Sequence, residues 1–153
     1  MPQKHGVYTS SLMRFPYQRL LVKDPHQRVR IAYRPLIPVE ISLGNKVVLS
    51  HALIDSGADV CLFEADLCRR LGLELRQGER HSLQGVGRGK VVFYLHVVHL
   101  KVGSNRAKVE IGFCDKMERI PFSILGQKGF FENFLVAFNY PKKWIEVVKA
   151  VKR

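Results

Sequence analysis

The residues best placed to do chemistry in this 153-residue chain lie in Leu53-Ile54-Asp55-Ser56-Gly57-Ala58-Asp59. Two apolar residues carry an extended segment into a carboxylate, and Ser56, Gly57 and Ala58 then turn the backbone before a second acid. A carboxylate at the end of an apolar run seldom sits there without a task. Held against a water molecule, it can serve as a general base. Asp, Ser and Gly are also the commonest turn residues, so the tripeptide alone fits a plain strand-to-turn boundary. Ser56 is a poor nucleophile, because no Gly-x-Ser-x-Gly elbow surrounds it and no histidine is placed as its base. His51, on the approach to Asp55, reads as a packed or edge residue rather than a second catalytic group. Cys61, Cys68 and Cys114 cannot all pair within one chain and form no Cys-x-x-Cys knuckle, so reduced, buried thiols are expected and neither a metal nor a cofactor is.

Two later stretches give the turn a context. Gln84-Gly85-Val86-Gly87-Arg88-Gly89 forms a glycine-rich hairpin tip, and Phe122-Ser123-Ile124-Leu125-Gly126-Gln127 places an apolar pair before a glycine. In this order the stretches resemble the retropepsin-like (retroviral-type) aspartic proteases, over residues 35–148. The resemblance implies a mostly β protein: a closed β-barrel acid-protease half-fold with one or two short helices and a flap hairpin, assembled as a two-fold dimer. It makes Asp55 catalytic and gives Ser56, Gly57, Ala58 and Asp59 the support of the active-site loop, with Ser56 bonding across the dimer. Gly85, Val86, Gly87, Arg88 and Gly89 become the flap over a bound peptide, and Ile124, Leu125 and Gly126 pass beneath the loop.

The chain departs from the commonest retroviral pattern at Gln127, where that pattern has an arginine paired with the last acid of the active-site motif. Asp59 must therefore find a neutral amide, a backbone N–H or an arginine from elsewhere. The chain also carries a single Asp-Ser-Gly and no Asp-Thr-Gly. A two-carboxylate site then requires a second copy of Asp55, and a homodimer is expected. The expected function is an aspartic endopeptidase acting on peptide or protein substrates. The alternatives are a non-catalytic dimerisation or peptide-binding module of the same fold and, behind it, a basic nucleic-acid-binding protein.

The elements that would hold these residues are legible in the pattern. Val39, Ile41 and Leu43 alternate with Glu40 and Ser42 before Gly44-Asn45, a hairpin signal, and the returning strand delivers Asp55. Phe63, Leu67 and Leu71 recur at helical spacing before Gly72, which predicts a short amphipathic helix like that of cellular and bacterial retropepsin-like proteins. His81–Gln84 and Val91–Val98 flank the glycine tip as strands, and the strand-like continuation disfavours a phosphate loop. Ala107–Phe113 alternates as a further strand, Gly129–Phe134 reads as a second short helix, and residues 135–148 read as a closing hairpin around Pro141-Lys142-Lys143.

Residues 1–34 show no sustained period and read as a partly ordered arm, in which Leu20–Val22 and Val29–Tyr33 can each form a short strand; residues 149–153 read as a basic tail. With 46% hydrophobic residues, the chain has enough for one core. No apolar run resembles a secretory leader or a membrane span, so a soluble, cytoplasmic protein without membrane contact is expected. The formal charge of +12 favours acidic surfaces, nucleic acid included, yet no recognition helix or aromatic-rich platform accompanies it.

Overall fold

A computed structural model describes residues 12–84, 89–117 and 122–151. Strand β1 (Met13–Pro16) opens the described chain, and β2 (Gln18–Lys23) and β3 (Val29–Arg34) form a hairpin. A second hairpin follows, β4 (Leu36–Leu43) and β5 (Lys46–Ile54), turning at Gly44 with φ of 58°. Short β6 (Leu62–Glu64) leads into helix α1 (Ala65–Arg70), a 3-10 turn at Leu75–Gln77, and the long pair β7 (Glu79–Gln84) and β8 (Lys90–Val102). Next come β9 (Asn105–Cys114), β10 (Ser123–Leu125), β11 (Phe134–Asn139) and β12 (Trp144–Lys149).

The main sheet runs β4-β5-β10-β6-β9-β8-β7, and β8 also pairs with β4 through Glu40↔Lys101 and Ile41↔Leu100. The pairing therefore passes from β4 around to β8 and back to β4. Strands that close on one another leave few unpaired backbone edges, and their inward residues form a common core. That core holds Ile37, Ile41, Phe63, Leu100, Ile111, Phe113 and Leu125, all fully buried, and reaches Phe130, Phe134 and Ile145. A separate sheet, β1-β12-β11, joins the two ends of the described chain, and β2-β3 stands as a sheet of its own.

The expected second short helix does not form: residues 129–133 are a run of turns, and Phe134 begins β11. Gly129 has φ of 96°, and the Phe131 and Glu132 amides reach back five residues to the Gly126 and Gln127 carbonyls. The Gly129 carbonyl that a helix would give to the Asn133 backbone amide instead accepts the Asn133 side chain, Nδ2 to O 2.9 Å, while the Asn133 backbone N–H goes to Phe130. Within the arm, strands run from Met13 onward. Its alternating Met13 and Phe15 dock β1 on β12, with Arg14 paired to Glu146 at 2.6 Å, and both expected short strands form. The amphipathic helix is present but shorter than its apolar spacing, because Phe63 lies in β6 opposite Phe113. Among the described residues no helix is long and apolar enough to cross a membrane.

Candidate active site

Strand β5 ends at Ile54, and its polar successor Asp55 is held against β10, which lies between β5 and β6. β10 runs parallel to β5 with Ile54 opposite Leu125, and the Leu125 carbonyl accepts the Asp55 N–H at 3.0 Å. On the other side Ile124 pairs with Leu62 of β6. Asp55 thus emerges from the middle of a sheet, its own N–H held by β10 and the N–H of the preceding Ile54 held by the Pro35 carbonyl on the other side of β5.

The turn that follows is closed from within. The Ala58 N–H donates to the Asp55 carbonyl at 3.2 Å, and the Gly57 N–H donates to Asp55 Oδ1 at 3.0 Å. That bond orients one carboxylate oxygen and leaves the other without a protein partner among the described residues. Asp55 is half-buried, whereas Ser56, Gly57 and Asp59 are exposed and Ala58 is intermediate.

Residues 126–128 then stitch the loop to the sheet. Backbone amides of Gln127 and Lys128 donate to the Ala58 and Asp59 carbonyls at 2.8 and 2.9 Å, and Gln127 Nε2 donates to the Ser56 carbonyl at 3.1 Å. Gln127 therefore grips the loop backbone, not the Asp59 carboxylate, which has no side-chain partner among the described residues. Gly126 is required by contact: a Cβ there would lie 2.3 Å from the Val60 carbonyl oxygen and 2.7 Å from that of Ala58. Lys128 turns its ammonium to Glu110 at 2.8 Å, and this bond raises the lysine above its ordinary pKa.

Cys61 is a structural participant that sequence reasoning treated only as a buried thiol. Its sulfur accepts the Gly126 N–H at 3.3 Å, and its S–H donates to the Lys128 carbonyl at 3.3 Å. Burial pushes this thiol up to about 12. Nothing in its spacing from Asp55 announces that role, because the contact arises only when β10 threads beside β6.

The β7–β8 hairpin forms as expected, with Gln84 opposite Lys90 at its last described pair. Of the expected tip, Gly89 is described, while Gly85, Val86, Gly87 and Arg88 lie outside the described residues. The hairpin is tied to the loop's surroundings: Leu83 and Val91 pack on the buried cluster of Leu62, Phe93 and Leu95, and so do Val60 and Ile124 from either side of the loop. Leu125 and Gly126 are buried and Ile124 is half-buried. A cavity of about 340 Å3 lies elsewhere, lined by Glu64, Asp66, Arg69, Asp115 and Met117, and Asp55 does not border it. Among the described residues no group of three or more His, Cys, Asp or Glu is arranged to hold a metal ion. His51 is exposed on β5 and makes no contact with the loop's hydrogen bonds.

Solved structures of other proteins share the fold, two of them over most of this chain. A retropepsin-like aspartic protease from Rickettsia conorii aligns over 89% of this chain and 98% of its own, with a TM-score of 0.56 at 12% identity. The retroviral protease-like domain of Ddi1 from Leishmania major aligns over 77% of this chain and 94% of its own, with a TM-score of 0.52 at 17% identity. No curated protein sequence matches the chain. A family model described as aspartyl protease matches residues 37–128, more than half of the chain and all of it from β4 through the segment that stitches the Asp55 loop, so this protein belongs to the aspartyl protease family.

Proposed function

We propose that this protein is an aspartic endopeptidase whose site is completed by a second copy of the chain. The observation that carries the reading is the setting of Asp55: a carboxylate at the end of a central strand, locked by Leu125 and Gly57, with one oxygen left free. A single such loop supplies one carboxylate, and peptide hydrolysis of this kind uses two that share a proton. A two-fold axis beside the loop brings the partner subunit's Asp55 to it. The closed circuit of strand pairings supports the barrel half-fold that such a dimer is built from.

The chemistry then follows. The ionised carboxylate takes a proton from a water lying between the two groups, and the resulting hydroxide adds to the peptide carbonyl carbon. The protonated carboxyl gives its proton to the carbonyl oxygen, forming a neutral tetrahedral diol. Collapse of the diol breaks the C–N bond: the amine nitrogen takes a proton from the carboxyl that received one from water, and one diol hydroxyl returns its proton to the carboxylate that had protonated the carbonyl oxygen, leaving a carboxylic acid and a free amine. The pair ends with one proton shared, as it began. Ser56 locks the two loops by bonding across the axis, Gly57 lets the substrate backbone approach, and the hairpin of β7 and β8 covers the peptide. Asp59 and the segment Ile124-Leu125-Gly126 hold the loop's shape.

The test is hydrolysis of a mixed peptide library by the wild-type protein and by Asp55→Asn. The amide keeps the size and the hydrogen bond of the carboxylate but cannot take the water's proton, so cleavage should disappear while the fold is retained. Cleavage that survives Asp55→Asn and is lost on changing Ser56 or His51 would overturn the reading. A wild-type protein that binds peptides without cutting them at any pH would assign the fold to a binding module.

A further inference from the structure

We propose that the β2–β3 hairpin is a docking surface for an anionic lipid bilayer, which holds the protein at a membrane surface without crossing it. Strand alternation and the pairings Arg19↔Tyr33, Leu21↔Ile31 and Lys23↔Val29 put these six side chains on one face. On that face Leu21 is 73% exposed, Val29 64% and Ile31 45%. The opposite face turns to the protein at Ala32, which is buried. A two-stranded sheet this short is marginal by itself, and burying its aliphatic face against something would stabilise it.

The turn holds the face in shape. Asp24 accepts the His26 and Arg28 amides at 2.8 and 3.0 Å and pairs with the Arg28 guanidinium at 2.9 Å. That pairing neutralises the hairpin's acid, and Arg19, Lys23, Arg30 and Arg34 leave it strongly positive. At its base the face continues through Tyr33: Lys143 Nζ sits 4.8 Å from the Tyr33 ring and 3.1 Å from that of Tyr140, itself 53% exposed.

Charge and side-chain type choose the occupant. A second copy would bring one positive hairpin against another chain of formal charge +12. A nucleic acid strand would satisfy the cations but stacks on open ring faces, and here Tyr33, Tyr140 and Trp144 already carry a lysine or arginine over their rings. An anionic bilayer uses all three features: aliphatic side chains enter the interface, tyrosines sit at headgroup depth, and lysines and arginines meet the phosphates. Among the described residues no hydrogen bond joins the hairpin to residues 55–59, and the inference stands whether or not the protein cleaves peptides.

Flotation of the full chain with phosphatidylcholine vesicles, with and without phosphatidylserine, tests it at low and high salt. Binding is expected only to the phosphatidylserine vesicles, and to fall about tenfold in Leu21→Ser with Ile31→Ser and likewise in Arg19→Gln with Lys23→Gln. These positions are exposed, and circular dichroism and melting of each variant should match the wild type. Asp55→Asn should bind as the wild type does. Absence of binding to the anionic vesicles overturns the proposal. So does binding that salt abolishes but neither hairpin variant weakens, which would mark general charge attraction. A change in sedimentation with unchanged vesicle binding would make the hairpin a contact between copies and also overturn it.

Discussion

Gly126 shows how one missing carbon shapes the loop. Two carbonyl oxygens, from Val60 and Ala58, occupy the space a side chain would need; both are backbone atoms, and that of Ala58 is held by the Gln127 N–H. Gly126→Ala should therefore destabilise the fold by about 3 kcal/mol or more, since the clash cannot be relieved by a side-chain rotation. A urea midpoint equal to the wild type would contradict the close approach. Cys61 answers Gly126 from the opposite side, as the acceptor of its N–H. Its thiol is fully buried and pushed up from 9.0 to about 12 by that burial, so it should resist alkylation at pH 8 in the folded protein and react on unfolding. The fold holds the neutral thiol, so its contribution is complete below pH 9 and is lost as pH rises from 9 towards 12. The loss is at most about 1.4 kcal/mol per pH unit. Cys61→Ala should flatten that alkaline slope relative to the wild type, while costing about 1–3 kcal/mol at neutral pH because the Gly126 N–H loses its acceptor. Equal slopes in the two proteins would refute this account of the thiol.

At the scale of elements, what could be read from the chain was what neighbouring residues decide. The alternation through Val39, Ile41 and Leu43, the Gly44 turn and the apolar run into Asp55 are local, and β4 and β5 form where they indicate. The same holds for the strands flanking the glycine tip. What was hidden depends on partners far along the chain. Met13 and Phe15 alternate over too few residues to signal a strand, and β1 exists because Val147 and Ile145 of β12 lie opposite them. Gln127 and Cys61 acquire their loop contacts only after β10 inserts between β5 and β6. The segment at 129–134 misled because its phenylalanines sit at helical spacing, and Phe130 and Phe134 do stack at 5.2 Å in the core. The Asn133 amide decides against a helix by taking the Gly129 carbonyl. Asn133→Ala leaves that buried oxygen unpaired and should cost about 1–3 kcal/mol, measured by chemical denaturation. A loss below about 0.5 kcal/mol, the scale of an ordinary surface change, would mean that the turn does not depend on this bond.

For the whole molecule, the decisive property is that one chain carries half of the proposed chemistry. Each copy bears a formal charge of +12, so assembly works against mutual repulsion that salt screens. Specific activity should rise with protein concentration and, at a fixed concentration, with moderate ionic strength. Mixing separates a shared site from a self-sufficient one. Wild-type protein and Asp55→Asn, equilibrated as subunits at equal amounts, should assort into wild-type, mixed and mutant dimers in a ratio of about 1:2:1. A mixed dimer has one carboxylate and cannot both take and give the proton, so about one quarter of the dimers remain competent and activity falls to that fraction of an all-wild-type sample at the same total concentration. A self-sufficient subunit would instead retain about half. A quarter, with exchange confirmed by mass spectrometry of the mixed dimer, would establish that Asp55 acts across the axis; half would mean that each chain works alone and that its second catalytic group lies within its own sequence.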